Sequence, residues 1–202
     1  MSDETDKPKP LADALSIEER MRGVLIGPLQ PLTGKIVIAP YSEEWPRMFA
    51  AQADRIRAAL GERALLLEHA GSTSVPGLAA KPIIDIVLVV ADPANEADYV
   101  PALEAAGYTL RAREPDWYQH RNLKYTNPDV NLHVFGPDCE EVARMLMMRD
   151  WLRRNEADRA LYERTKRELA QRDWKYTQEY ADAKTNVVQE VLGRARAALG
   201  GA

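Results

Sequence analysis

The stretch His69-Ala-Gly-Ser-Thr-Ser-Val-Pro-Gly-Leu-Ala-Ala-Lys-Pro-Ile-Ile-Asp-Ile-Val-Leu-Val-Val90 organises this 202-residue chain. Its second half, Ile83 to Val90, is a near-continuous apolar run rich in Ile and Val. That is the pattern of a central strand buried on both faces. Asp85 interrupts the run, and a carboxylate there is costly unless it is paired, hydrogen-bonded or metal-bound. It either caps amides of the 71–81 loop or acts as a functional carboxylate, and the second reading is preferred. The first half joins this strand to an earlier one, Leu65 to His69. Gly71 lets backbone N–H groups come close to a ligand. Ser72, Thr73 and Ser74 offer hydroxyls, and Lys81 adds a positive charge. Such a donor cluster suits phosphate, although the spacing and the final Gly-Lys-Ser/Thr of a Walker A loop are absent.

Working outward, Ser42 can cap a helix that carries Phe49, Ala53, Ile56 and Leu60 on one stripe and stops at Gly61. Lys35 to Ala39 reads as a short strand closed by Pro40. A helix from Glu96 to Ala106 ends at Gly107, and Tyr108 to Arg111 follows as a strand. Trp117 to Tyr125 and Val130 to Phe135 read as an antiparallel pair, turned by Asn127-Pro-Asp129. Cys139 to Leu199 predicts two or three helices, broken near Asn155 and Gln171–Asp173. Residues 1–10 are expected to be disordered, Ala12 to Leu25 holds a modest helical pattern, and Gly27 to Gly34 reads as a linker. Helices at both ends around four or five strands give the α+β class.

Composition narrows the function. With 27 basic and 31 acidic residues the net charge is −4, which disfavours bulk nucleic-acid or membrane-surface binding. The single cysteine, Cys139, excludes an internal disulfide and a Cys-rich metal site, and points to a cytoplasmic home. The N-terminus carries no signal-peptide pattern, and no apolar run is long enough to span a membrane.

The stretch from His69 to Asp85 resembles the GrpB family, whose signature runs His-x-Gly-Ser-Thr-x-Val-Pro-Gly-Leu-x-x-Lys-Pro-x-x-Asp. Asn131-Leu-His133-Val-Phe, Arg149-Asp-Trp-Leu-Arg153, Tyr162 with Lys166, and Tyr180 with Lys184 agree with it. The resemblance implies a domain over residues 35–199, with 1–34 as tail and linker. It implies a nucleotidyltransferase-like mixed β-sheet of about five strands flanked by helices, with a C-terminal helical segment. In that superfamily a Gly-Ser pair holds the triphosphate and an Asp-x-Asp/Glu pair binds divalent metal. Gly71 and Ser72 match the first element, and Asp85 matches the first acid. Val87 stands at the second acid position, and Asn131 to His133 offers no third carboxylate. The oxygen set for two-metal transfer is therefore incomplete.

Alternation places Asn131, His133 and Phe135 on one strand face, and Asp85 with Val87 and Val89 on one face of theirs. With His69 at a strand end, a metal site of His69, Asp85 and His133 is conceivable; the alternative is that His133 packs in the sheet and His69 orders the loop. Glu68 points to the opposite face from His69. Arg149 and Arg153 share a helix face. They, with Lys166 and Lys184, could reach over the Ser-Thr loop to a phosphate chain, against the plainer reading of a salt-bridged helix surface. Trp117, Tyr118, Tyr125, Trp151, Trp174 and Tyr176 could stack a base, or simply fill the core.

The sequence thus predicts a nucleotide or other phosphorylated small molecule bound at Gly71, Ser72, Thr73, Ser74 and Lys81, with Asp85 as the catalytic carboxylate. The expected cofactor is a divalent metal, Mg or Mn ahead of Zn, with no organic cofactor. Two other readings are carried. One is a non-catalytic partner domain, since members of the family occur fused to dephospho-CoA kinase, beside coenzyme A synthesis. The other is a metal-dependent hydrolase.

Overall fold

The computed structural model describes residues 15–200. Seven α-helices and five strands are described: α1 Ile17–Arg22, α2 Glu44–Leu60, β1 Leu66–Ala70, β2 Ile84–Val89, α3 Val100–Ala105, β3 Thr109–Glu114, β4 His120–Tyr125, β5 Val130–Phe135, α4 Glu140–Arg154, α5 Glu156–Ala170, α6 Thr177–Ala183 and α7 Thr185–Gly200. The strands form one sheet in the order β1-β2-β5-β4-β3. Only β2 and β5 run parallel; the other neighbours are antiparallel. The mixed α+β sheet is as the sequence predicts.

The register separates two faces. Ile84, Ile86 and Leu88 of β2 line up with Val130, Leu132 and Val134 of β5, and Leu123 of β4 pairs with Leu132. This apolar face packs against Trp45, Ile56 and Leu60 of α2 and Leu103 of α3, forming the main core. The α2 stripe follows helical spacing. Ser42 Oγ accepts the Glu44 N–H at 3.2 Å, but the cap position itself is Glu43, which makes no side-chain cap, so Ser42 stands one residue before the expected role. The opposite face presents Asp85 and Val87, Asn131 and His133, Asn122 and Lys124, and Ala112 and Glu114, and here polar side chains dominate. Its roof is the C-terminal helical layer, where α4 packs on α5 and α7.

Several boundaries differ from expectation. Lys35 to Ala39 is no strand: Ala39 alone bridges Ala80. Ile36 instead packs with Leu169, Ala170 and Tyr180, so burial of an apolar side chain took precedence over pairing. The 96–106 segment splits into a 3₁₀ turn, Glu96–Asp98, and the short α3, because Pro101 sits in the first turn of α3 and cannot lie deeper in a helix. β3 reaches Glu114, three residues beyond the expected end, and β4 begins at His120 rather than Trp117. Four helices follow Cys139 where two or three are expected. The break at Asn155 is present, and there Asn155 caps α5 by accepting the Asp158 N–H.

The expected disorder of residues 1–10 lies outside the described residues, as does the first part of the 12–25 helix. The part within them holds α1, closed by a capping box of Ser16 and Glu19. The segment after α1 is docked. Ile26 N–H donates to Arg111 O at 2.8 Å and Arg113 N–H to Val24 O at 2.9 Å, extending the β3 edge. Arg20 pairs with Asp182 at 2.5 Å, and Lys175 with Glu18 at 2.6 Å.

Candidate functional site

A cavity of about 480 Å³ lies between the polar sheet face and the helical roof. Its floor includes Asp85, Asn131, His133, Asn122, His120 and Glu114; Ser72, Thr73 and Lys81 come from the loop; Lys166, Tyr180 and Lys184 come from the roof; and Met21 and Leu25 close one side. The loop predicted from sequence therefore borders this polar cavity.

The loop is shaped by its own hydroxyls. Ser72–Ser74 forms one 3₁₀ turn. Ser74 Oγ donates to Gly71 O at 2.6 Å and Thr73 Oγ1 donates to Ile83 O at 3.1 Å. Thr73 and Ser74 are buried, so two of the three predicted ligand hydroxyls serve the loop. Gly71 has φ +66°, and a Cβ placed there would run into the Asp85 carboxylate. Glycine is thus required both by conformation and by close approach.

Asp85 Oδ1 accepts from Asn131 Nδ2 at 2.7 Å, and His133 Nε2 lies 3.8 Å away. Burial pushes the carboxyl up, but His133 and Asn131 outweigh burial and hold it below the usual carboxylate range. Asn131 Oδ1 in turn accepts from the Lys124 ammonium. Behind His133 stands a second line of polar groups: its Nδ1 is 3.1 Å from His120 Nε2, and His120 Nδ1 is 2.8 Å from Glu114 Oε2.

The cations crowd. Burial, then the neighbouring Lys184, brings Lys81 down to about 8 and Lys166 to about 7. Lys124 is lowered too, by burial, with Asp85 pulling the other way. Lys81 and Lys184 flank the Tyr180 ring at 5.5 and 4.9 Å. Tyr180 is buried, and its hydroxyl finds no hydrogen-bond partner among the described residues. Lys166 donates to Ala79 O at 2.6 Å, so it braces the loop as well as lining the cavity.

Three predicted roles are corrected. His69 pairs in register with Ile86, while Asp85 pairs with Ala70. His69 is therefore one residue out of phase with Asp85 and points to the apolar face, stacked on Phe49 at 4.8 Å. Thr73 Oγ1, whose proton goes to Ile83 O, accepts from His69 Nε2 at 3.0 Å. The His69–Asp85–His133 metal trio is not assembled, and no group of three His, Cys, Asp or Glu able to hold a metal is found among the described residues. Arg149 and Arg153 are absent from the lining. Arg149 binds Glu68 at 2.6 Å and His69 O at 3.1 Å, and Arg153 holds Ser74 O through two nitrogens at 3.0 and 2.8 Å. They fix the loop from outside. Glu68 does point away from His69, as alternation requires.

Sequence reasoning missed Lys124, Glu114, the placement of His120, and Tyr180 as part of the lining. The signal for the first was available: Asn122 and Lys124 alternate with Leu123, as Asn131 and His133 alternate with Leu132 and Val134.

A family model described as GrpB protein matches residues 35–194. A UPF0157 protein of Halalkalibacterium halodurans is 54% identical over 180 residues, covering 89% of this chain and 92% of that protein. A protein named dephospho-CoA kinase from Mycolicibacterium paratuberculosis is 31% identical, and the match covers 67% of this chain and 40% of that protein. Among solved structures, the conserved protein GrpB from Enterococcus faecalis superposes with a TM-score of 0.69 at 28% identity, over 79% of this chain and 96% of that one.

Proposed function

Because this chain belongs to the GrpB family, we propose, for a family here read as nucleotidyltransferase-like, that its cavity binds a nucleotide or another phosphorylated small molecule. The observation that carries the reading is the convergence of Lys81, Lys166 and Lys184, with Lys124 at the floor, around one concavity. Lys81 and Lys166 are lowered first by burial and then by the neighbouring Lys184; an anion relieves both effects, and phosphate supplies both the charge and the acceptor oxygens. The carboxylates nearby do not cancel them all. Glu141 is bound bidentately by Arg144 at 2.6 Å and Glu114 faces His120, which leaves Asp85. Ser72 supplies a neutral polar contact for the same ligand.

The donors fit a divalent metal poorly. Asp85 is the single carboxylate at its end of the floor, Val87 fills the second acid position and is fully buried, and Asn131 turns its carbonyl oxygen to Lys124. Binding of the phosphorylated ligand is therefore the function assigned, with no step routed through a metal. Cys139, the one cysteine, suits the reducing cytoplasm. No helix of the described residues is long and apolar enough to cross a membrane.

Calorimetry with ATP, GTP, CTP and UTP, with and without Mg²⁺ or Mn²⁺, tests the reading. Saturable heat that weakens in Lys184→Ala supports it. Absence of heat with all four nucleotides overturns it. A second reading, as an accessory domain beside dephospho-CoA kinase, is favoured by the partial match to a protein of that name. Co-purification and assay of that kinase with and without this chain decides it.

A further inference from the structure

The histidine line beneath the cavity has a direction. Glu114 is 8% exposed and His120 4%. A carboxylate only accepts, so at the 2.8 Å contact His120 Nδ1 carries the proton. In the neutral ring the other nitrogen, Nε2, is then a lone pair. Across 3.1 Å it faces His133 Nδ1, which must donate. With both rings neutral, that leaves His133 Nε2 unprotonated on the cavity floor, 3.8 Å from Asp85, the carboxylate to which it donates once protonated. The rings are held in this geometry: His120 stacks on His133 at 5.3 Å and on Phe135 at 4.6 Å, with Trp117 edge-on at 5.2 Å.

We propose that His133 Nε2 is a proton-accepting centre of this cavity, oriented by a Glu114–His120 relay, and that the ligand it serves carries a hydroxyl beside its phosphate, as nucleotides and sugar phosphates do. The inference rests on the ligand reading above for what enters the cavity. The ligand hydroxyl donates a hydrogen bond to His133 Nε2, and its proton shifts toward that nitrogen. The positive charge gathering on the imidazole lies between two negative groups, Asp85 directly and Glu114 through His120. The hydroxyl oxygen, made more negative by this, faces the ammonium groups of Lys81, Lys124 and Lys184. Charge is conserved and no further reactant is needed. In this scheme His133 is the acceptor, and His120 and Glu114 are positioning residues. The other charged groups that face this floor are Lys166 from α5 and Glu141 from α4, the latter neutralised by Arg144.

Nitrogen-15 spectra of the full chain at neutral pH read the tautomers directly. The expected result is a protonated Nδ1 and an unprotonated Nε2 on both His120 and His133. A proton on His133 Nε2 in the neutral ring overturns the relay. Reaction with diethyl pyrocarbonate, which attacks unprotonated imidazole nitrogen, supplies the functional readout. His133 should react fastest of the three histidines. Glu114→Gln, which keeps a hydrogen-bond acceptor but removes the charge, should slow it several-fold while leaving the buried His69 unchanged. An unchanged His133 rate overturns the proposal. A variant that merely loosens the fold betrays itself by speeding up His69, and His120→Asn then replaces it in the same assay, with a slowed His133 expected and an unchanged one decisive against the relay. ATP calorimetry runs beside these measurements. Correct tautomers without ATP binding sink only the ligand reading, and normal binding with the wrong tautomer sinks only the relay.

Discussion

Gly71 and Asp85 touch so closely that the glycine α-hydrogen faces the carboxylate. The loop that opens the cavity and the acid on its floor thus meet where the Gly71 backbone, just after β1, lies against the Asp85 side chain at the start of β2.

Gly71→Ala tests this contact. The φ of +66° strains any L side chain, and the added methyl meets Asp85. We expect a loss of at least about 1–3 kcal/mol of stability, read as a lowered thermal midpoint, together with loss of ATP binding. A variant as stable as the parent would mean that the loop can shift freely.

Asp85→Asn separates an anion site from a metal site. Without divalent cations the carboxylate repels bound phosphate, so ATP should bind the variant several-fold more tightly. Weaker binding in metal-free buffer would contradict the assignment of Asp85 as a neighbour of the ligand's negative charge.

His69 gives the protein an acid-sensitive element unrelated to its ligand. Burial holds its imidazole down near 4, against an ordinary 6.5. Between those values the unfolded chain takes up a proton that the folded chain refuses. Stability is therefore present above about pH 6.5 and lost as pH falls toward 4, by at most about 1.4 kcal/mol per pH unit from this group. Denaturant midpoints at pH 7.5, 6 and 5 should fall more steeply in the parent than in His69→Gln.

Arg149 and Lys184 should part company. Arg149→Ala strands Glu68 and His69 O and should cost about 1–3 kcal/mol of stability while leaving ATP affinity unchanged. Lys184→Ala should leave stability nearly intact and weaken ATP binding by about tenfold, roughly 1.4 kcal/mol. Paired melting and calorimetry on both variants decides whether the arginines brace or bind.

The sequence marked the floor better than the walls. Period-two alternation put Asn131 with His133 on one face of their strand and Asp85 with Val87 on one face of theirs, and the parallel register joins the two faces, because a buried central strand tolerates no slip in phase. It misjudged His69, because proximity at a strand end counted for more than phase, and one residue of offset sends a side chain to the other face. Glu114 was out of reach for a different reason. Its strand carries an irregularity between Leu110 and Ala112, so only the real register shows that it meets His120. The arginines were readable as a pair on one helix face, but not as partners of backbone carbonyls some eighty residues earlier. The 35–39 segment looked like a strand because its apolar residues are real, yet Ile36 and Ile38 pack against helices, Val37 is exposed and Ala39 alone pairs.

The residues lining the cavity run from Met21 to Lys184, which is most of the chain. The short signature at residues 69–85 is therefore a label more than a module. Grafted into another protein it would carry the hydroxyls, Lys81 and one acid, but leave behind Lys124, Lys166, Lys184 and both histidines of the floor. A distant sequence that keeps the signature while losing those residues would share an ancestor with this protein without sharing its ligand.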